Sequence, residues 1–573
     1  MLPKCLLLGL AGFAVTACSQ APADRVNEIA SEFVHGYYMQ FPEEVYEVGY
    51  PDSPTDRFGD HSPETLAAWD VKVNGWLNAL DEIDIATLAG TPEAITWVFA
   101  HERLQALVDW RICQNALWNV SPTYTGWQFM IAGTLAIQPV STGKERQEAL
   151  ARANDIARFL QVDIGNLRRG VDQGYLAPQS NVIKVIDQVT SLIEMPAEES
   201  PFFSPAARSD DEAFVAEYRN VLSSTINPAM IAYRDFLADE YQGRDEIGVG
   251  ANPDGAACYA ASVRYWASLP TSAVDIHRTG LSEMARIQSE MLALARESFD
   301  TDDVGGLLEE MRSNPAYTFK TEQAVLDFVN NAVERSRNAA NNWFGYVPDA
   351  AVVVIPSPAY EKDSGSGFYS SGAADGSRPA IIQVGTYNPT TISKAGEESL
   401  TFHEGYPGHH LQASIALLND SLHPILRYMF VSGFAEGWGL YSERLADEMG
   451  LYSSDVTRLG MMSAESLRAA RMVVDTGIHV FGWTRDDAIQ YLLEHTARNY
   501  DGVAAQIDRY AAVPGQATSY LMGSLEIQRL RRKAEEAMGH QFDIREFHDR
   551  ILANGGVTLP MLGTVIDAWI AEH

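Results

Sequence analysis

The segment HEGYPGHH, residues 403–410, places three of the chain's thirteen histidines within eight residues, beside a glutamate. His403 followed by Glu404 is how a helical zinc site opens, and in that motif a second histidine follows four residues later on the same helix face. Position 407 is Pro407, which cannot bind a metal. Pro407 also lacks the N–H that would bond the carbonyl of residue 403, and Gly405 and Gly408 loosen the backbone around it. The helical ladder must therefore break or bulge between 404 and 409. A bulge of two residues returns His409 to the place that the fourth residue normally holds. His410 is the competitor, but on an unbroken helix it would stand roughly 10 Å from His403 along the axis, too far for one small ion. His403 and His409 are the expected ligands.

A catalytic zinc site takes a third protein ligand and keeps a position for water. The segment FAEGWGLYSE, 434–443, supplies Glu436, flanked by Ala435 and Gly437, which permit close approach. Glu443, two helical turns further on, would orient a ligating histidine through its other nitrogen. Glu404, adjacent to the first ligand, would act as general base on a water at the metal and then pass the proton to the leaving amine. A helix-turn with solvated histidines is the alternative. The HE pair, the proline between two glycines, the HH pair and the EGW that follows together favour a metal.

Around these residues the chain reads as mainly α. Apolar residues recur at spacings of three and four in 91–117, 146–174, 209–241, 271–299, 320–343, 424–450, 454–480, 485–500 and 516–539. The exception is 350–390, where AVVVIPSPAY and PAIIQVGTY are β-branched runs flanked by Gly, Ser and Pro. They predict two short strands, or one hairpin, with a loop over EKDSGSGFYSSGAADGSR between them. An edge strand beside a metal helix is where an extended peptide can add as a further strand.

The N-terminus fixes an expected compartment. Met1-Leu2-Pro3-Lys4, an apolar run from Leu6 to Val15, and Thr16-Ala17-Cys18 form a signal peptide over 1–17, too short for a retained membrane span. The ending resembles a bacterial lipobox, with Cys18 as the lipidated first residue of the mature chain. Ser19 in place of aspartate points to the periplasmic face of the outer membrane. Later apolar runs are too short to cross a bilayer. A net charge of −34 argues against nucleic acid and anionic lipid surfaces as partners. Cys113 and Cys258 remain in the mature chain, and in an oxidising compartment they could pair or stay as buried thiols. Residues 18–573 are expected to form one domain, large enough for two lobes around a cleft.

HEGYPGHHLQ and FAEGWGLYSE resemble a bacterial family catalogued as a domain of unknown function, number 885, rich in lipoproteins. PDGAACYAASVRYW (253–266), IHRTGLSEMARI (276–287), DGSRPAIIQVGTYN (375–388), RAARMVVDTGIHVFGWTRDDA (468–488) and PGQATSYLMGSLEIQRLR (514–531) extend the resemblance over roughly the last two-thirds of the mature chain. The family is similar to helical zinc peptidases such as thimet oligopeptidase, carboxypeptidase Taq and angiotensin-converting enzyme. That similarity implies a helical body split by a deep cleft, one zinc per chain, and a tyrosine or histidine from later helices at the oxyanion. The inserted proline and glycine depart from the HExxH pattern.

Two residues fit the oxyanion role. His479 follows Asp475 by four residues, so the carboxylate could orient the imidazole. Tyr520 sits between small residues in GQATSYLMG, which suits a phenol pointing into a cleft. Arg378, Arg471 and Arg529 are candidates for a substrate carboxylate. The expected function is a zinc-dependent peptidase for oligopeptides, tethered in the cell envelope. The alternatives are a lipoprotein that binds peptides or an envelope partner around a structural metal, and a metal hydrolase of esters or non-peptide amides.

Overall fold

The structure is a computed structural model that describes residues 20–44, 48–51, 53–357, 367–373, 376, 378–496 and 498–573. The expected signal peptide and Cys18 lie outside the described residues. Helices open where proline can occupy a first-turn position that needs no N–H, as at Pro22, Pro63 and Pro92. Others open on reciprocal side-chain caps, as at Thr142 with Glu145, Ser454 with Thr457, and Thr484 with Asp487.

The apolar faces of these helices gather into three large cores. One joins the N-terminal helices Pro22–Gln40, Pro63–Asp81 and Pro92–Trp110 to the C-terminal helices Ile544–Leu552 and Leu559–Ala571. A second lies within 58–241, around the long helix Gly143–Gln173. The third is built on α1 (Gly255–Ala267), α2 (Ala273–Phe299) and their partners later in the chain. Cys113 and Cys258 form a disulfide, Cα–Cα 4.6 Å, that ties the segment after Pro92–Trp110 to α1.

After α3 (Glu322–Ala340), residues 350–390 form a small sheet of β1 (Val352–Pro356), β2 (Phe368–Ser370) and β3 (Ala380–Val384), in the order β1-β3-β2. The two β-branched runs do not make a hairpin. β1 and β3 pair in parallel, Val352 opposite Ala380, and a third strand from the segment expected as loop pairs antiparallel with β3. β3, between the other two, is the buried strand.

The helices that carry the site follow: α4 (Lys394–Glu404), α5 (His409–Leu417), α6 (Ser432–Glu448), α7 (Asp455–His479), α8 (Tyr500–Ala512) and α9 (Ser519–Met538). α6 and α9 meet backbone to backbone. A Cβ on Gly523 would lie 1.8 Å from the Gly433 carbonyl oxygen, and one on Gly437 would lie 2.6 Å from Gly523 Cα. α4 and α7 meet as closely at Gly460, where a Cβ would lie 1.6 Å from the Ala395 carbonyl oxygen. Such contacts leave the site's frame little room to shift.

Candidate metal centre

The helix that carries His403 ends at Glu404, and a second begins at His409. The ladder is broken rather than bulged. Residues 405–408 turn, the Tyr406–Pro407 peptide is cis, and the Pro407 carbonyl accepts from the Trp438 indole at 2.9 Å, which fastens the turn to α6. Gly408 must be glycine here, because a Cβ would lie 1.9 Å from the His403 carbonyl oxygen. The turn brings His409 back to His403, with ring centroids 4.7 Å apart and planes at 86°.

His403 lies across α6. Glu436, Gly439 and Glu443 share one face of that helix, at spacings of three and four, and the imidazole fits over Gly439 between the two carboxylates. A Cβ on Gly439 would stand 2.6 Å from His403 Cε1. Nε2 of His403 is 3.3 Å from Glu436 Oε2, and Nδ1 is 2.9 Å from Glu443 Oε1. Glu443 is itself held by the Ser399 hydroxyl at 2.5 Å and by Arg468 at 3.1 Å.

His409 Nε2 is 3.5 Å from the same Glu436 oxygen, and the ligand atoms of His403, His409 and Glu436 all lie within 4.8 Å of one another. Donors about 2.0–2.1 Å from a tetrahedral ion sit about 3.3–3.4 Å apart. The two nitrogen–oxygen separations therefore suit a zinc ion, and the donor set of two imidazoles and a carboxylate is one zinc accepts. The Glu443 contact favours the His403 tautomer whose Nε2 lone pair faces that point. Water reaches it, since the His409 and Glu436 side chains keep 17% and 24% of their surface exposed.

These side chains set one another's charge. Burial pushes the His403 imidazole down, but its bonds to Glu436 and Glu443 and the charge of Glu404 raise it to about 10. Burial opposes ionisation of Glu436, yet the two histidines hold it well below the usual carboxylate range. A cation binding here would compete with the proton that the carboxylates favour on His403. Burial raises Glu404, with the nearby histidines acting against it. Among the described residues, no side chain or backbone donor hydrogen-bonds to the Glu404 carboxylate.

Other expected residues fall in different places. His410 is fully buried and turned toward the sheet, with Tyr369 at 3.3 Å from Nδ1 and the Ala350 carbonyl at 3.3 Å from Nε2. Tyr520 is half-buried on α9, one turn before Gly523, under the Arg471 guanidinium at 4.8 Å. Burial and the charge of Glu436 raise its hydroxyl to about 12. Arg378 follows β2, where its charge reaches Tyr369. Arg529 is exposed and paired with Glu526 on its own helix, away from the other candidates.

The expected pairing of Asp475 with His479 does not form. His479 accepts from the Val249 amide at Nδ1 (2.9 Å), and Nε2 faces the Tyr510 carbonyl at 3.1 Å. Burial holds this imidazole neutral, down to about 3. Asp475 instead accepts from the Tyr259 hydroxyl at 2.7 Å and the Gly515 amide at 3.1 Å. With both nitrogens spent on backbone, His479 has no donor left for an oxyanion.

Sequence reasoning missed Tyr124 and Arg509. Tyr124 is 53% exposed, yet its hydroxyl bonds Arg509 and feels the charges of Glu436 and Arg471. Nothing in its local sequence marks it. Gly439 was also missed, although its place midway between Glu436 and Glu443 on one helix face was there to be read.

Compared with known proteins, the chain is similar over almost its whole length to two solved structures. One is described as a "putative lipoprotein" from Colwellia psychrerythraea, 25% identical, covering 96% of this chain and all of that one, with a TM-score of 0.88. The other, a "putative lipoprotein of unknown function" from Shewanella oneidensis, is 16% identical over 94% of this chain and 99% of that one, with a TM-score of 0.71, and it shares the fold. No curated protein matches. Residues 42–566, which include the broken helix and both glutamates of α6, match the model of the family described as "Bacterial protein of unknown function (DUF885)", and the chain belongs to that family.

Proposed function

We propose that the protein is a zinc-dependent peptidase acting on oligopeptides, with one zinc per chain held by His403, His409 and Glu436. The observation that supports this best is the convergence of those three ligand atoms beside Glu404, a carboxylate no described donor engages. Bound there, zinc would supply Lewis acidity toward a carbonyl oxygen and a water. Glu404 takes the proton of the attacking water and gives it to the amine nitrogen as the C–N bond breaks. The Tyr520 hydroxyl donates to the carbonyl oxygen as that oxygen gains charge. Glu443 holds the His403 ring in register through Nδ1. β2 is an edge strand whose Tyr369 ring lies 6.5 Å from that of His409, so an extended substrate has backbone to pair with near the centre.

The location proposed is the cell envelope, by a lipid on Cys18 and facing the periplasm from the outer membrane. The Cys18 context and the lipoprotein descriptions of the similar structures support it. No helix among the described residues is long and apolar enough to cross a membrane.

Glu404→Gln tests the mechanism. Zinc and fold should be retained, while chelator-sensitive cleavage of a mixed peptide library, read by mass spectrometry, falls about 10²–10⁴-fold. Loss of zinc would make Glu404 a ligand or a prop. Unchanged turnover with zinc present would refute its role as base. For the anchor, Cys18→Ser should move the protein to the soluble fraction, and continued partition with membranes would end that reading.

A further inference from the structure

The wall of the site beyond the metal ligands is basic, in a chain whose net charge is −34. Arg468 and Arg471 stand one turn apart on α7. Arg468 is spent on Glu443, but Arg471, Arg498 and Arg509 form no ion pair with any described carboxylate. Neutral groups hold Arg471 and Arg509 instead. Arg471 donates Nε to the Tyr510 hydroxyl at 2.9 Å and Nη2 to Gln506 at 3.1 Å, which leaves Nη1 without an acceptor among the described residues. Arg509 donates to Gln516 at 2.7 Å and to Gln506 at 3.3 Å. Both side chains are only 8% exposed.

Guanidiniums gathered in a low-dielectric wall repel one another unless an anion joins them. Desolvation by neighbouring side chains, together with the charges of Arg471, Arg468 and Arg509, presses Arg498 down to about 10, although part of its side chain still reaches solvent. The wall is joined to the metal centre on two sides. Arg468 bonds Glu443, which bonds His403. Tyr520 lies under Arg471 and feels Glu436, and Tyr124 bonds Arg509 and feels Glu436.

We propose that Arg471 and Arg509, with Arg498 at their exposed side, form a subsite for a substrate carboxylate on the leaving-group side of the cleaved bond. The inference rests on the peptidase reading and sharpens it. A planar guanidinium with a free Nη1 suits a carboxylate, whose oxygens accept charge-assisted bonds in the guanidinium plane. The source assigned is the free C-terminal carboxylate of a short substrate, past the scissile bond, and an acidic side chain presents the same chemistry. The enzyme would then remove C-terminal residues rather than cut internally.

The test compares one peptide as free acid and as C-terminal amide, together with an amidated peptide bearing Asp or Glu next to the cleaved bond. The free acid should be cleaved with kcat/KM about 10- to 100-fold higher than the amide, mostly through KM. Arg471→Gln should abolish that difference. Arg498→Gln, at an exposed position, should reduce it and serves if Arg471→Gln does not fold. Preference for the amidated acidic peptide, lost in the same variants, keeps the subsite and assigns the side chain as the source. Equal cleavage of all three peptides overturns the subsite and leaves the peptidase reading standing. If nothing is cleaved, fluorescence anisotropy of labelled acid and amide separates the two ideas. Tighter binding of the acid, lost in Arg471→Gln, keeps the subsite while the peptidase reading falls, and equal binding ends both.

Discussion

His403 and His479 are both buried histidines beside carboxylates on helices, and they are put to different use. The two nitrogens of His403 face side-chain carboxylates on α6, one belonging to Glu443 and one to Glu436, which it shares with His409. Those of His479 face a backbone amide and a backbone carbonyl. Asp475, four residues before His479, stays 4.0 Å away and bonds Tyr259 and Gly515 instead. A His–carboxylate pair at helical spacing is therefore poor evidence of function. What separates the two cases is the partner of the second nitrogen: backbone on both sides makes a structural histidine, whereas shared carboxylates leave a lone pair that an ion can claim.

The comparison breaks most readily at two glycines, Gly439 under the His403 ring and Gly477 two residues before His479. Gly439→Val should push the His403 ring off α6, and metal analysis after dialysis should find no stoichiometric zinc. Gly477→Ala, whose Cβ would meet the Trp483 ring at 2.5 Å, should lower Tm and leave zinc content unchanged. Retained zinc in Gly439→Val would mean that His403 is not a ligand.

Glu443→Gln comes next. It keeps the shape and weakens the hold on Nδ1, so zinc affinity by competition with a chromophoric chelator should drop about 10–100-fold. An unchanged affinity would reduce Glu443 to packing.

His479→Ala strips partners from the Val249 amide and the Tyr510 carbonyl in the core. Denaturant unfolding should show a loss of about 3 kcal/mol. Zinc affinity should stay within twofold of the parent, and a large fall would restore His479 to the site.

Asp475→Asn should leave the metal centre untouched and change only stability, in a way that depends on pH. Burial raises the Asp475 carboxyl to about 7, with Tyr259 and Gly515 acting against it. The folded state holds this proton more tightly than an unfolded aspartate, near 3.9. Its contribution is thus full below about pH 4 and is lost as pH rises toward 7, by at most about 1.4 kcal/mol per pH unit. The variant should show a flatter fall in stability between pH 5 and 7. An identical slope in both proteins would place the titration elsewhere.

Several features of the centre follow from local chemistry and were legible in the sequence. Pro407 has no N–H to give, so the helical ladder had to break or bulge between 404 and 409, and the structure breaks it. Residues seven apart share a helix face, so Glu436 and Glu443 had to point the same way. The mainly α class followed from apolar periodicity. The register of 350–390 was not legible, because pattern marks a strand but not its neighbour. β1 and β3 pair in parallel across a crossover, and β2 hid among Gly and Ser.

By itself, then, the sequence determined the mainly α class, which side chains share a helix face, and that the helical ladder must break or bulge within HEGYPGHH. Each of these depends on backbone sterics and hydrogen bonding within a few residues. Only the tertiary structure decided that His409 rather than His410 turns toward Glu436, that His479 spends both nitrogens on backbone, and that Tyr124 meets Arg509 from a distant part of the chain. Those choices depend on which distant surfaces exclude water from one another. Close packing between α6 and α9, and between α4 and α7, sets that at distances no local pattern encodes.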